Sequence, residues 1–555
     1  MNRTVKVLFI FLLYLSSCAY HLGLQFPSDE HTVGTVVASH QIAVNIGMAV
    51  LKSGGNAVDA AVATGLTLGV VDQFNSGIGG GGFILIRLSD GTVYTIDGRE
   101  TAPAEATRDM YIQNEEFTPQ ISQLGPLAVG VPGILTAYEK ALELAGTKLI
   151  SELITPSSEV AKQGFDVDAY YLSRYRDVIE LLKENPESRR IYFRKDRSPL
   201  QEGDILIQPD LAETYEKIKK EGINYFYCGE FSKQLAKFMA ENGGLITEND
   251  MAGYSVRLRN PVIGRFRDYE IIGMAPPSSG GILILEILNM LESSGVLEGK
   301  NNWDEETVYW TTLFMRKAFE DRALHLGDPD FYSVPVDHLI SKSYADSSVQ
   351  AIMSENSEIS EKVRSNVEID GHTTSFSVVD RWGNVVVVNQ TLNLTFGSKI
   401  TLPGTGVILN NEMDDFSAQP GAPNVFGLTG SRANAIAPGK RPLSSMSPTI
   451  VVKNGKPILL LGGAGGPTII SGVLETIIGV TAFDLSLEKA MAAPRFHHQF
   501  RPDVVIMEKT MPEEIQNFVK ERGLPVVLKD HIARIHAIAW EPDSRSYIAV
   551  SEPRY

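Results

Sequence analysis

The chain has 555 residues, 43% hydrophobic and 21% charged, with a formal charge of −17 and two cysteines. That balance excludes disordered, collagen-like and coiled-coil classes, and the length suits about three small domains or one large layered enzyme. Excess acid argues against nucleic acid as a partner, because that affinity depends on Lys and Arg neutralising phosphates.

Arg3 and Lys6 precede the apolar run Val7–Leu15, and small residues follow at Ser16–Ala19. A basic end, a short apolar stretch and small residues make a signal peptide over residues 1–18, too short for a membrane span. Leu15-Ser16-Ser17-Cys18 also matches a bacterial lipobox. Two readings therefore stand, plain secretion or a lipid anchor on Cys18, and both export the chain to the periplasm or the cell exterior. With Cys18 in the leader, Cys228 has no mature partner and a disulfide framework is excluded.

From Val33 to Ala102 the pattern reads strand, helix, glycine-rich turn, strand, with helical spacing over Ile42–Leu51 and Ala57–Val71. Residues 134–330 read as mainly helical, including Leu211–Glu221, Phe231–Asn242 and Asp304–Leu326. Ser341–Asp370 is polar and weakly apolar, so it is expected to be exposed and mobile. Strands then begin at His372 and continue at Val385–Val388, Pro448–Lys453 and Pro457–Leu461. Helices follow near Thr468–Val480 and Ser486–Ala492.

Asp380-Arg381-Trp382-Gly383-Asn384 supplies the residues of a hairpin turn. Pairing symmetric about Trp382 sets Thr373 opposite Thr391, with Asn393 on the same face. From pattern alone, an ordinary cross-strand Thr pair on a solvated face is the plainer reading. Gly462-Gly463-Ala464-Gly465-Gly466-Pro467 joins a strand to a helix, and its N–H groups suit an anion or oxyanion. A tight strand–helix turn is the plainer reading there too.

Gly77–Gly82 satisfies GxGxxG, but a helix precedes it and a strand follows, the reverse of a dinucleotide site. His497-His498 on a strand point to opposite faces, and HExxH and CxxC motifs are absent, so neither a metal nor another cofactor is expected. Glu412 and Asp415 share a face if their segment is one helical turn; the plainer reading is a solvated pair or a cap. Arg99 reads as a surface ion pair with Glu100, and Ser444-Ser445 as loop hydroxyls.

Taken together, these stretches resemble the γ-glutamyltranspeptidase (glutathione hydrolase) family from about Val33 to Arg554. The motifs are SGGNAVDAAVAT (53–64), SGIGGGGF (76–83), DGRETAP (97–103), PPSSGG (276–281), LGDPDF (326–331), HTTSFSVVD (372–380), NNEMDDFS (410–417), KRPLSSMSPT (440–449) and APRFHHQ (493–499). The resemblance implies an α+β fold, the four-layer αββα sandwich of N-terminal-nucleophile hydrolases, formed jointly by two autocleaved subunits. The precursor would break between His372 and Thr373, giving a large subunit of residues 19–372 and a small catalytic subunit of 373–555.

By the same resemblance Thr373 is nucleophile and, through its freed α-amine, base. Thr391 orients it, and Gly465 and Gly466 form the oxyanion hole. Arg99, Ser444 and Ser445 would take a donor's α-carboxylate, while Asn393, Glu412 and Asp415 take its α-ammonium. The implied donors are glutathione and other γ-glutamyl compounds, and the acceptors water, amino acids or dipeptides. Gly463-Ala464 replaces a common Ser-Pro, Ser375 a frequent His, and Phe426 the usual lid Tyr. Rival readings are a related acylase, a poly-γ-glutamate hydrolase or transferase, or a non-catalytic exported binding protein.

Overall fold

The computed structural model describes residues 33–114, 116–354, 372–419 and 421–554. The expected signal peptide, Cys18 and the second half of Ser341–Asp370 lie outside the described residues.

Two six-stranded sheets carry the fold. Their strands, in chain order, are β1 (Gly34–Val37), β2 (Gly81–Arg87), β3 (Val93–Gly98), β4 (Arg257–Arg259), β5 (Val262–Phe266), β6 (Tyr269–Gly273), β7 (Thr374–Asp380), β8 (Val385–Thr391), β9 (Thr449–Lys453), β10 (Lys456–Ala464), β11 (Arg534–Glu541) and β12 (Ser546–Val550). The first sheet runs β1-β7-β8-β2-β3-β4 and the second β12-β11-β10-β9-β6-β5. Every neighbouring pair in both sheets is antiparallel.

Alternation along β8 shows how the layers are held. Val385 and Val387 face the second sheet, where they meet Ile450, Leu460 and Ile538. Val386 and Val388 face the other way, into a helical layer. A strand buried on both faces carries an unbroken apolar run, which is why Val385–Val388 is all valine. Helices α1 (Gln41–Lys52) and α2 (Ala57–Val71) belong to that outer layer. Every residue of α2 is buried, and its Ala-rich sequence lets it lie close beneath β7 and β8. Asn56 caps it, accepting from the N–H groups of Val58 and Asp59, while Asp59 accepts from the Asn56 N–H.

On the far side, α3 (Gly280–Ser294) and α6 (Thr468–Thr481) cover the second sheet, with α4 (Glu305–His325) and α5 (Lys342–Ser354) packed against α3. The result is the α+β, four-layer αββα sandwich.

The hairpin register is as expected: Thr374 faces Gln390, Ser375 faces Asn389 and Val379 faces Val385. The stretch 134–330 is mainly helical as expected, with β4, β5 and β6 among the strands within it. Two expectations need correction. Residues 342–354 are largely exposed as expected but form helix α5, with Ala345, Ser348 and Val349 buried. Gly462, Gly463 and Ala464 are not part of the glycine turn; they extend β10 and pair with His536, Ile535 and Arg534. Gly462 is required there because a Cβ would stand 2.3 Å from the Ser375 hydroxyl on the facing sheet.

Candidate active site

Strand ends gather the site at one edge of the sandwich. Thr373 immediately precedes β7, and Thr391 is the last residue of β8. Arg99 follows β3, Glu412–Asp415 form a 3-10 turn, and Gly465-Gly466 link β10 to α6. Thr373, Thr391, Asn393, Arg99, Glu412, Asp415, Ser444, Ser445, Gly466 and Phe426 all line one narrow cavity. All ten are among the residues expected from sequence. Gly465 sits beside them, at φ +137.

Two hydroxyls converge on the peptide bond before Thr373. The Thr373 hydroxyl donates to the carbonyl oxygen of His372 at 2.6 Å. The Thr391 hydroxyl donates to the same oxygen at 3.0 Å and lies 3.4 Å from the Thr373 hydroxyl. One carbonyl thus receives two hydroxyl donors, an arrangement that withdraws charge from its carbon. The Asn393 N–H in turn donates to Thr391 Oγ1 at 2.9 Å. Asn393 does not reach the cluster by strand alternation as expected: β8 ends at Thr391, and Asn393 turns at φ +74. Its side-chain amide donates to the Asn411 carbonyl at 3.0 Å.

Arg99 is fully buried and bonds Glu412 through one terminal nitrogen and Asp415 through the other. Its Nε donates to the Pro442 carbonyl at 3.2 Å. Glu100 is 3.7 Å away, so the pair expected at the surface is buried and secondary. Burial opposes the Arg99 charge, but Glu412, Asp415 and Glu100 outweigh it and raise its pKa. Burial also raises the carboxyls: Glu412 goes well above its usual range, Asp415 goes up, and Glu100 reaches about 7 despite the neighbouring guanidinium.

Several positions that sequence reading left without a role support this cluster. Arg259 bonds Asp97 at 2.9 Å, Asp328 at 3.4 Å and Asp330 at 2.6 Å, and the Arg441 N–H donates to Asp328. The DGRETAP, LGDPDF and KRPLSSMSPT motifs are thereby tied together behind the pocket. Phe426 covers Gly466, whose φ of +56 and lack of Cβ leave room for the ring. Gln499 donates to the Phe426 carbonyl at 2.9 Å and pairs with His497 Nε2, whose Nδ1 meets the Ser471 hydroxyl at 2.6 Å. The second His, His498, pairs instead with Asp503 at 3.1 Å.

A family model described as gamma-glutamyltranspeptidase spans residues 43–555. The chain belongs to that family. Within it, the chain is 40% identical over 526 residues to the glutathione hydrolase proenzyme of Escherichia coli (strain K12), covering 94% of this chain and 90% of that one. It is similar in structure to a cephalosporin acylase from Bacillus halodurans, with TM-score 0.80, 25% identity, and coverage of 96% and 97%. It also resembles the Helicobacter pylori gamma-glutamyltranspeptidase, with TM-score 0.57 and 39% identity, over 59% of this chain and 93% of that one. Acylases and transpeptidases of this architecture therefore share one scaffold, and the pocket must distinguish them.

Proposed function

We propose that the chain is a proenzyme that severs its own His372–Thr373 bond and then hydrolyses or transfers the γ-glutamyl group of glutathione and related amides. The single observation that carries this reading is the pair of threonine hydroxyls on the His372 carbonyl, at the head of a pocket with charges for a zwitterion.

In the first stage Thr373 Oγ1 attacks the His372 carbonyl carbon, and Thr391 holds the oxyanion. The tetrahedral adduct collapses with the proton passing to nitrogen, leaving an ester on Thr373 and a free α-amine. Water cleaves the ester, so His372 ends one chain as a carboxylate and Thr373 begins the other. That gives subunits 19–372 and 373–555. The new α-amine, with a pKa of about 7.7–8, is the base that an intact threonine lacks.

In the second stage the Thr373 oxygen attacks the donor's γ-carbonyl and its proton passes to the α-amine. The N–H groups of Gly465 and Gly466 hold the oxyanion. The departing amine takes a proton, leaving a γ-glutamyl ester that water, or the amine of an amino acid or dipeptide, removes. Arg99, Ser444 and Ser445 take the α-carboxylate; Asn393, Glu412 and Asp415 take the α-ammonium; Phe426 closes over both. Because Arg99 already pairs with Glu412 and Asp415, a zwitterion enters by exchanging one set of ion pairs for another. An acyl group lacking either charge would leave part of that exchange unmatched, which favours γ-glutamyl donors over other acyl groups.

Export belongs to the same proposal, with Cys18 either lipidated or removed with the leader.

Gel electrophoresis of the mature protein tests the first stage: a chain of 60.8 kDa should appear as two bands of roughly 40 and 20 kDa. An intact chain that hydrolyses glutathione would refute it. Thr373→Ala should give one band and no turnover. Faster turnover of poly-γ-glutamate than of glutathione would overturn the substrate. Intact mass of both chains reports the break and any lipid together.

A further inference from the structure

We infer that Arg322 is the second cation of the donor site, a positioning residue that orients Ser445 and balances the charge of an entering α-carboxylate. This inference rests on the γ-glutamyl reading and deepens it. Arg322 lies in the last turn of α4, far in sequence from every pocket residue, and is only 5% exposed.

Charge balance motivates the assignment. Arg99 is surrounded by Glu412, Asp415 and Glu100, so this group as a whole does not attract a carboxylate. A donor's ammonium can take over Glu412 and Asp415, but its carboxylate still arrives among acids with one guanidinium to meet it. Arg322 is the next guanidinium. Its electrostatic neighbours are Asp415, which favours its charge, and Arg99, which opposes it. Burial lowers its pKa to about 10, which still leaves it charged near neutral pH.

Hydrogen-bond direction defines the role. A guanidinium can only donate. Arg322 Nη2 approaches Ser445 Oγ at 3.4 Å, and its Nε donates to Ser279 Oγ at 3.1 Å. Each serine oxygen must therefore accept, and each hydroxyl proton is turned elsewhere. Ser279 shows the consequence: its hydroxyl donates onward to the Ser444 carbonyl at 2.8 Å. Ser445 also accepts from Arg322, at a longer distance, and lines the pocket, so its proton is available to the donor's carboxylate. The surrounding loop is fixed. The Ser279 N–H also donates to the Ser444 carbonyl, the Ser444 N–H donates to the Pro277 carbonyl, and the Ser278 hydroxyl donates to the Met446 carbonyl. The PPSSGG motif thus clamps the two serines, and Arg322 spans both loops.

The test uses the processed two-chain enzyme and two anilide donors, γ-glutamyl and 4-aminobutanoyl, which differ only in the α-carboxylate. Arg322→Gln should raise KM for the γ-glutamyl donor about 10- to 100-fold, the range for one charge-assisted contact, with kcat within about threefold. The 4-aminobutanoyl donor should show no comparable change, and Arg322→Lys should recover most of the loss. Equal losses on both donors would make Arg322 a purely structural residue and overturn the inference, as would an unchanged KM. Should Arg322→Gln not fold, Ser445→Ala decides: it must weaken the γ-glutamyl donor selectively, or the inference fails. A wild-type enzyme that does not prefer the γ-glutamyl donor would sink the parent reading instead, a separate result.

Discussion

Arg99 has an observed place in the ion-pair cluster and a proposed one in donor binding, and different measurements read the two. It is fully buried, and it compensates Glu412 and Asp415. Removing one partner of such a buried group leaves uncompensated charge, typically at a cost of about 3–5 kcal/mol. Arg99→Met should therefore lower stability toward urea by about that much, beyond any effect on KM, and adding Glu412→Gln should restore part of it. Measuring this in the Thr373→Ala background keeps one unbroken chain. Stability unchanged by Arg99→Met would show that the acids hold protons instead of charge. Thr391 separates differently. Thr391→Val keeps the shape but removes one donor from the His372 carbonyl, and loss of an oxyanion donor slows acyl chemistry by about 10²–10³. Time courses of band appearance on a gel should show processing slowed by that order. Processing at the wild-type rate would leave Thr391 with no part in cleavage. Both residues were legible in sequence, Thr391 from the register of a symmetric hairpin and Arg99 from its motif. The ion pairs of Arg99 were not, because Glu412 lies more than 300 positions from Arg99 and no local pattern couples them.

Among the elements, those most visible in sequence are the ones buried on a full face. Helix α2 is legible at Ala57–Val71 because Ala and Val repeat with helical spacing, and the structure adds the Asn56 cap. Strands β4 to β6 escaped because they lie toward sheet edges, where charged residues such as Arg257, Arg259 and Arg265 interrupt the apolar alternation. Helix α5 was hidden by composition: only Ala345, Ser348 and Val349 are buried, too narrow a stripe to stand out from a polar run. Phe426 was legible as a position but its tether was not, since that comes from the distant APRFHHQ motif. Gln499 holds the Phe426 carbonyl, and His497 holds Gln499. Burial lowers the His497 pKa to about 3, so the ring stays neutral and can donate from one nitrogen while accepting at the other. Gln499→Leu removes a bond worth about 1 kcal/mol, so KM for glutathione should rise about fivefold. Proteolysis within residues 421–431 should quicken in parallel. A lid as resistant as wild type would mean that Phe426 is held by packing alone.

Across the whole molecule, the layering rests on valine-rich strands whose two faces both need cover, whereas in sequence the sandwich was legible only through the resemblance of its motifs to a family. What sequence could not supply is the electrostatic consequence of closing those layers over ionisable groups. Asp414 shows it best. One oxygen accepts from the Ser122 hydroxyl at 2.5 Å and the other from the Val425 N–H at 3.0 Å, joining the lid to the body. Burial raises its pKa from 3.8 to about 6, and those two bonds offset only part of the rise. A raised acid binds its proton more tightly folded than unfolded. Its stabilising contribution is therefore complete below about pH 4 and is lost as pH climbs through about 6. Over two units the loss is at most about 3 kcal/mol. Buried histidines act in the opposite sense: His536 is lowered to about 4 and His497 to about 3, so their contribution fades as pH falls below about 6.5. The two trends overlap, and the wild-type profile alone hides both. Asp414→Asn isolates one, because the histidines are common to both proteins. Thermal denaturation from pH 4 to 7 should show the variant gaining on wild type as pH rises, whatever constant offset the lost hydrogen bond introduces. Parallel profiles would mean that the Asp414 carboxyl ionises as freely as in an unfolded chain, and that the lid is joined to the body by a charge instead of a shared proton.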